Sequence, residues 1–434
     1  MPYNIIIGRD DVDKKIFGDK GLIFLGKGYV KMGQYTSLSN PIFMDIARSH
    51  VIMVSGKRGA GKSYSLSVIA EQLSLLPEEE AENIASLMFD TMGIFWTMKY
   101  KNEKEKSLLL EWQEKPQAIP AKIFVPYGYF NQAQKSGIPV DEKFAIQPNE
   151  LAPEDWILTF NLTITEPISI LIERIITKLN QENKNYEIKN ILAEIEQDKT
   201  SSQETRNACL GLFEAASTWG VFSSQGTEIE KLISAGKTTI LDLSVYNSVG
   251  AFNVRALVIG LICRKLFNKR MEARKQEEQE AVRHGVDYLS YSSKRKLPLI
   301  WLFVDEIQEF IPQESKTAAS DALIQLLREG RQPGISIVMA TQQPGALSRE
   351  AITQSDIVIS HRVTAAPDIQ ALNNMMQSYL LDSIKKYLDD LPNLKGSAII
   401  LDDNSERIYP CRIKPKLSWH GGEAPSAIKV EKRI

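Results

Sequence analysis

Cysteine is scarce. Cys209, Cys263 and Cys411 are the only three in 434 residues, an odd number at wide spacing that builds neither a disulfide framework nor a zinc CxxC arrangement. Such usage fits a reducing compartment. Histidine is nearly as sparse: His50, His284, His361 and His420 are scattered, and no His/Cys metal site is expected. No stretch approaches the roughly 18 apolar residues of a membrane span, and the N-terminus, MPYNIIIGRDDVDKK, lacks the basic-then-apolar layout of a signal peptide. The expectation is a cytoplasmic protein with no membrane partner. A bias of charge is also missing: 52 Lys plus Arg against 54 Asp plus Glu leave a net charge of −2, which excludes a uniformly basic nucleic-acid coat but not local basic patches. What is present is ordinary globular composition, 43% hydrophobic and 24% charged, with chain enough for about three domains at roughly 150 residues each.

Along the chain, residues 1–50 hold short apolar runs punctuated by glycines and read as a short β-rich segment, barrel-like but reduced. VIMVS (51–55) then enters a glycine-rich turn followed by SYSLSVIAEQLSLL with helical period, and SLMFD (86–90) makes a second buried strand. Together, 51–98 form the opening β-α-β of a parallel sheet. Residues 99–236 are richer in Lys, Glu, Gln and Asn and read as a mainly helical insertion. Alternation resumes over 237–405 with TTILDLS (238–244), LIWLFVD (299–305), ISIVMAT (335–341), DIVIS (356–360) and SAIILD (397–402). Continuous apolar runs imply strands covered on both faces, hence an α/β, doubly wound, mostly parallel sheet. Residues 406–434 form a basic tail.

The chemistry concentrates at strand ends. Gly56-Lys57-Arg58-Gly59-Ala60-Gly61-Lys62-Ser63 fits GxxxxGK[ST] between a predicted strand and a predicted helix, and with Tyr64 it is the candidate nucleotide-binding segment. Its glycines let backbone N–H groups turn around phosphate oxygens, Lys62 adds a point charge, and Ser63 is a ligand for Mg²⁺. Asp305 and Glu306 close a buried strand at the same sheet edge; Asp305 suits Mg²⁺ held through water, and Glu306 suits orientation and polarisation of an attacking water, as an ATPase needs. Gln342, in ATQQP after another buried strand, is the sensor candidate. Arg328, Arg331 and Arg362 are candidates for an arginine finger.

With Walker A, Walker B and ATQQP in this order, the chain resembles the HerA/FtsK superfamily of P-loop ATPases, and within it the HerA-type DNA translocases. NPIFMDIARSHVIMVSGKRGAGKS (40–63) resembles the family's approach to its phosphate loop, and DTMGIFW (90–96) its acidic strand-end motif, which adds Asp90 as a further metal candidate. TTILDLS followed by an Arg-containing helix matches the layout upstream of Walker B. The resemblance covers about 51–98 and 237–402. It implies a P-loop NTPase (RecA-like) core with ATP and Mg²⁺ bound between the subunits of a hexameric ring, duplex DNA in the central channel, and often a nuclease or effector partner. By position it carries roles to Lys62, Ser63, Asp305 and Glu306, to Asp90 and Gln342, and to Arg331 after Walker B. The sensor motif here ends in QQP where many relatives have QRP.

An ATP-driven motor on duplex DNA is therefore the leading expectation. A regulatory or scaffold ATPase that assembles a partner nuclease without moving on DNA is the alternative. A protein-export motor and a P-loop metabolic kinase fit less well, the first for want of a membrane segment and the second because Glu306 and ATQQP suit water activation. Two regions are candidate polyanion surfaces: Arg264 to Lys296, with ten Lys/Arg against five Asp/Glu, and the basic tail, which is also a candidate strap onto a neighbouring subunit.

Overall fold

The computed structural model describes residues 3–32, 35–182, 185–247, 252–285, 295–375, 384–423 and 427. Five apolar runs make the middle of one sheet: β4 (Val51–Ser55), β5 (Ile84–Asp90), β9 (Leu299–Val304), β10 (Ile335–Thr341) and β11 (Ile357–Ser360). They are buried on both sides, and alternate residues go to opposite faces. Leu302, Val304, Ile337 and Met339 join one core, while Trp301, Phe303, Val338 and Ala340 join the other. Helix α2 (Lys62–Ser74) covers the second face through Leu66, Ile69 and Leu73. The first face is covered by α6 (Phe252–His284) and α7 (Ser320–Glu329), together with α3 (Pro167–Glu182), α4 (Ile188–Gln197) and α5 (Gln203–Ser217). This is the expected doubly wound arrangement.

Among the described residues the sheet has 13 strands, in the order β1-β3-β2-β13-β12-β11-β4-β10-β9-β5-β8-β6-β7. The block from β11 to β7 is parallel and includes β8 (Thr238–Asp242), β6 (Ala121–Pro126) and β7 (Glu142–Phe144). Residues 99–236 are mainly helical as expected, but they are not helix alone: β6 and β7 extend the parallel sheet ahead of the helices of 153–217.

The N-terminal expectation also changes. Instead of a reduced barrel there are β1 (Ile5–Ile7), the unforeseen helix α1 (Asp11–Phe17), and two 11-residue strands, β2 (Leu22–Met32) and β3 (Tyr35–Asp45). The two long strands pair antiparallel with a β-bulge and continue the main sheet. They join it through β13 (Arg407–Ile413), which lies antiparallel to β2 and to β12 (Ser397–Asp402). The start of the supposed tail is thus a sheet strand. Lys429, Lys432 and Arg433 lie outside the described residues.

A buried charge cluster welds the N-terminal strands to the root of β4. Asp45 takes a hydrogen bond from Arg9 Nε at 2.7 Å and lies 3.0 Å from His50 Nε2. His50 Nδ1 lies 2.6 Å from Asp356, whose other oxygen accepts from the Val51 N–H at 2.9 Å. Burial alone would lower the His50 pKa, but the Asp356 and Asp45 carboxylates outweigh it and lift it to about 9. The charged imidazole then stabilises the fold fully below its unfolded value of about 6.5, and that contribution is lost as pH rises through about 9. Urea unfolding between pH ~6.5 and ~9.5 is expected to cost the wild type up to about 3 kcal/mol more than His50→Asn; parallel pH curves for the two would show that His50 is not charged in the fold.

Candidate functional site

The parallel strands end level. Thr341 of β10 and Ser360 of β11 both lie opposite Ser55 of β4, so the segments that follow all three strands open on one sheet edge. From Ser55 the chain enters the glycine-rich loop. Gly61, with φ 111°, turns it into α2. The Lys57 N–H bonds the Arg362 carbonyl at 3.1 Å and ties the loop to the residues after β11. Lys62 is 5% exposed; burial lowers its pKa, and the nearby Glu306 and Asp305 carboxylates oppose that.

His361 forms the floor under this loop, a role that sequence reasoning missed. Its Nδ1 lies 3.0 Å from the Ser397 carbonyl, which can only accept, so Nδ1 carries the proton and Nε2 accepts from Ser65 Oγ at 2.8 Å. Burial holds its pKa down at about 4, and Lys62 adds to the effect. His361 packs so closely that a Cβ on Gly56 would meet the His361 Cβ at 2.8 Å, while the ring lies under Gly61. The signal was available in sequence, because His361 directly follows an apolar strand, as Gln342 nearly does.

Beside the loop, Ser63 Oγ donates to Asp305 Oδ2 at 2.6 Å. Asp305 is buried, and burial raises its pKa to about 6, with the Ser63 bond opposing and Glu306 reinforcing the rise. A hydroxyl and a carboxylate that converge amid excess negative charge fit a Mg²⁺ site with few protein ligands. Among the described residues no group of three or more His, Cys, Asp or Glu makes a metal cage.

Glu306 is held in the left-handed region, φ 51° and ψ 46°, where a non-glycine residue costs about 1–3 kcal/mol and marks a constrained site. The turn aims its carboxylate at two amides: Gln308 Nε2 donates at 2.7 Å, and Gln342 Nε2 donates to the other oxygen. Thr341 Oγ1 in turn donates to Gln308 Oε1 at 2.8 Å. The structure thus joins Glu306 to the sensor candidate and adds Gln308, whose part in the site depends on a left-handed turn that the sequence pattern does not announce. A carboxylate oriented in this way can accept a proton from water.

Other candidates fall elsewhere. The Asp90 carboxylate accepts backbone N–H bonds from Met92, Gly93, Ile94 and Phe95 at 2.7–3.2 Å, so its oxygens cap a turn and are not free for metal. Burial, then the adjacent Asp242, raises its pKa to about 7. Arg331 is exposed in the turn that leads into β10, at the opposite edge of the sheet and roughly 20 Å of strand away from Thr341. Arg362 has its backbone at the loop, but its guanidinium turns to the Leu391 carbonyl at 3.2 Å. Arg328 pairs with Glu350 at 2.7 Å. The Tyr64 hydroxyl is taken up by Glu105, to which it donates at 2.9 Å.

In the two basic regions several of the cations are engaged within the chain, while Lys269, Lys275, Arg283 and Lys296 are exposed. Arg264 binds Asp155, Lys265 binds Glu150, and Arg270 is buried with its Nε on the Pro333 carbonyl at 2.8 Å. Lys294 lies outside the described residues. In the tail, Lys414 and Lys416 are each 1% exposed, and Lys414 pairs with Glu114 at 2.6 Å. Through residue 423 the described part of the tail packs on its own chain.

A phosphate loop between β4 and α2, with acidic residues ending β9 of a mostly parallel sheet, defines a P-loop NTPase of RecA-like architecture. The sequence carries the family assignment further: the model for the central domain of helicase HerA matches residues 30–266, more than half of the chain, and the chain belongs to that family. It is similar to the DNA double-strand break repair helicase HerA of Pyrococcus furiosus, 27% identical over 220 residues, covering 45% of this chain and 38% of that protein. It also resembles a probable helicase of Methanocaldococcus jannaschii, 33% identical over 103 residues, covering 24% of this chain and 19% of that protein. The chain thus spans well under half the length of either relative. Among solved structures it shares its fold with VirB4 of Thermoanaerobacter pseudethanolicus, at TM-score 0.58 and 12% identity over 92% of this chain and 98% of that one. The bacterial conjugative coupling protein TrwBdeltaN70 matches at TM-score 0.51 and 12% identity over 95% and 92%. No helix among the described residues is long and apolar enough to cross a membrane.

The tight contact under the loop gives a direct test. Gly56→Ala is expected to lower stability by about 1–3 kcal/mol through the clash with His361, measured by urea unfolding. A variant as stable as wild type would mean that the loop does not rest on His361.

Proposed function

We propose that this chain is an ATP-hydrolysing motor on duplex DNA, working as a ring with ATP sites between subunits. The observation that carries the hydrolytic part is Glu306, fixed by two amide donors next to the Ser63–Asp305 pair and the phosphate loop. In this reading the loop N–H groups and Lys62 hold the phosphates, while Ser63 and Asp305 hold Mg²⁺, which when bound neutralises charge on the phosphate oxygens. Glu306 orients a water and takes its proton as the water attacks the γ-phosphorus, with ADP leaving in line. Gln308 and Gln342 keep the carboxylate aimed.

In a ring, Arg331 would be the residue to test as a finger for a neighbour's γ-phosphate, because it is exposed and lies at the edge of the sheet opposite its own site. The DNA part rests on membership of the HerA central-domain family and on the helicase names of the two curated relatives.

Long linear duplex DNA is expected to raise the steady-state rate of ATP hydrolysis, and raised salt to abolish the increase. Glu306→Gln is expected to reduce turnover about 10²–10⁴-fold while ADP still binds. Turnover that needs Glu306 but ignores DNA would replace the motor with the scaffold ATPase, and unchanged turnover in Glu306→Gln would remove that residue from the reaction.

A further inference from the structure

The chain after β13 crosses back over the outer face of α2 and is fastened there. Glu71, fully buried, accepts from the Leu417 N–H at 2.7 Å, the Ser418 N–H at 2.9 Å and Ser418 Oγ at 2.7 Å. Two turns earlier on α2 the Tyr64 hydroxyl accepts from the Lys416 N–H at 2.7 Å. Asn102 Nδ2 bonds the Lys416 carbonyl at 2.9 Å, the Trp419 N–H bonds the Tyr100 carbonyl at 2.8 Å, and Thr97 Oγ1 bonds the Trp419 carbonyl at 3.1 Å. All of this fastening uses backbone groups and the side chains of α2 and of residues 97–102, together with Ser418.

The Trp419 and His420 rings take no part in it, yet the strap presents both, partly buried, at neighbouring positions. The His420 ring meets the Tyr64 ring edge-on at a centroid distance of 5.1 Å, and the Lys104 ammonium lies 6.0 Å from the Trp419 ring. Lys104 also pairs with Glu423, which holds the far end of the strap. Burial, helped by Lys416, lowers the His420 pKa to about 3, so the ring is a neutral, flat imidazole.

Position makes this arrangement informative. Tyr64 directly follows Ser63 in the first turn of α2, so the His420 ring packed against it starts from the turn that leaves the phosphate loop. A nucleotide with its phosphates over that loop carries its sugar and base outward past the same turn. We infer that Trp419 and His420, presented beside Tyr64 by the strap, form the seat for the nucleobase of the bound nucleotide. This rests on the nucleotide reading above. It also changes the part of Tyr64 from phosphate contact to anchor, since its hydroxyl holds the strap and its ring backs His420. The seat recognises an aromatic base by its π-face, which favours purines by area without reading their edges.

Titration calorimetry with Mg·ATP and with Mg·tripolyphosphate, which has the phosphates but no base, separates the two layers of the argument. Wild type should bind Mg·ATP more tightly than Mg·tripolyphosphate. His420→Ala and Trp419→Ala should each weaken Mg·ATP about tenfold and leave tripolyphosphate unchanged, and His420→Phe should restore the preference. Lys62→Ala should weaken both ligands. If either alanine variant leaves Mg·ATP affinity intact, or weakens both ligands equally, the rings do not seat the base, while the phosphate site stands. If wild type binds neither ligand, the nucleotide reading itself falls, and the base seat falls with it.

Discussion

Five parallel strands in register, β11, β4, β10, β9 and β5, set everything else at the candidate site. Because Ser360, Ser55 and Thr341 end opposite one another, and Phe89 and Val304 pair on the next two strands, the segments leaving the sheet have one edge in common. The phosphate loop, the Asp305–Glu306 turn, Gln342 and His361 meet there without any loop having to reach far. A one-residue slip of β10 against β4 would turn its side chains to the other face and carry Gln342 away from Glu306. The antiparallel strands and the Arg9–Asp45–His50–Asp356 cluster brace the block from the side and from the opposite edge.

Within that edge the balance of charge is close. Lys62 is the buried cation, facing two carboxylates, and each of the three is held by a partner of a different kind. Asp305 is held by a hydroxyl, Lys62 is poised near the Lys57 carbonyl at 3.5 Å, and Glu306 is clamped by amides. Hydroxyl and amide donors orient a carboxylate without neutralising it, which leaves net negative charge for a cation and keeps a base available. The backbone strain at Glu306 is borne where the geometry of the carboxylate matters most.

Much of this was legible in the sequence because burial on both faces writes itself as unbroken apolar runs. VIMVS, ISIVMAT and SAIILD appear as strands with the same bounds. The β6 strand, AKIFVP, was hidden by the polar composition around it, and β2 by glycines that serve a bulge and a close approach: a Cβ on Gly26 would lie 2.3 Å from the Arg412 carbonyl oxygen. Residue type also misled where burial reverses its usual meaning. Lys414, Lys416 and Arg270 counted as basic surface but are interior, each with its charge on a carboxylate or a backbone carbonyl. Asp90 was rightly seen as an acid at a strand end, but its four N–H partners come from a turn that only the folded chain reveals.

The account stands or falls on the amide clamp that keeps Glu306 aimed as a base. Its most direct test is single-turnover hydrolysis of prebound Mg·ATP by the Gln308→Ala/Gln342→Ala double variant, with ADP affinity measured in parallel. The prediction is a chemical step slowed at least about a hundredfold with ADP affinity unchanged. A hydrolysis rate equal to that of the wild type would contradict it.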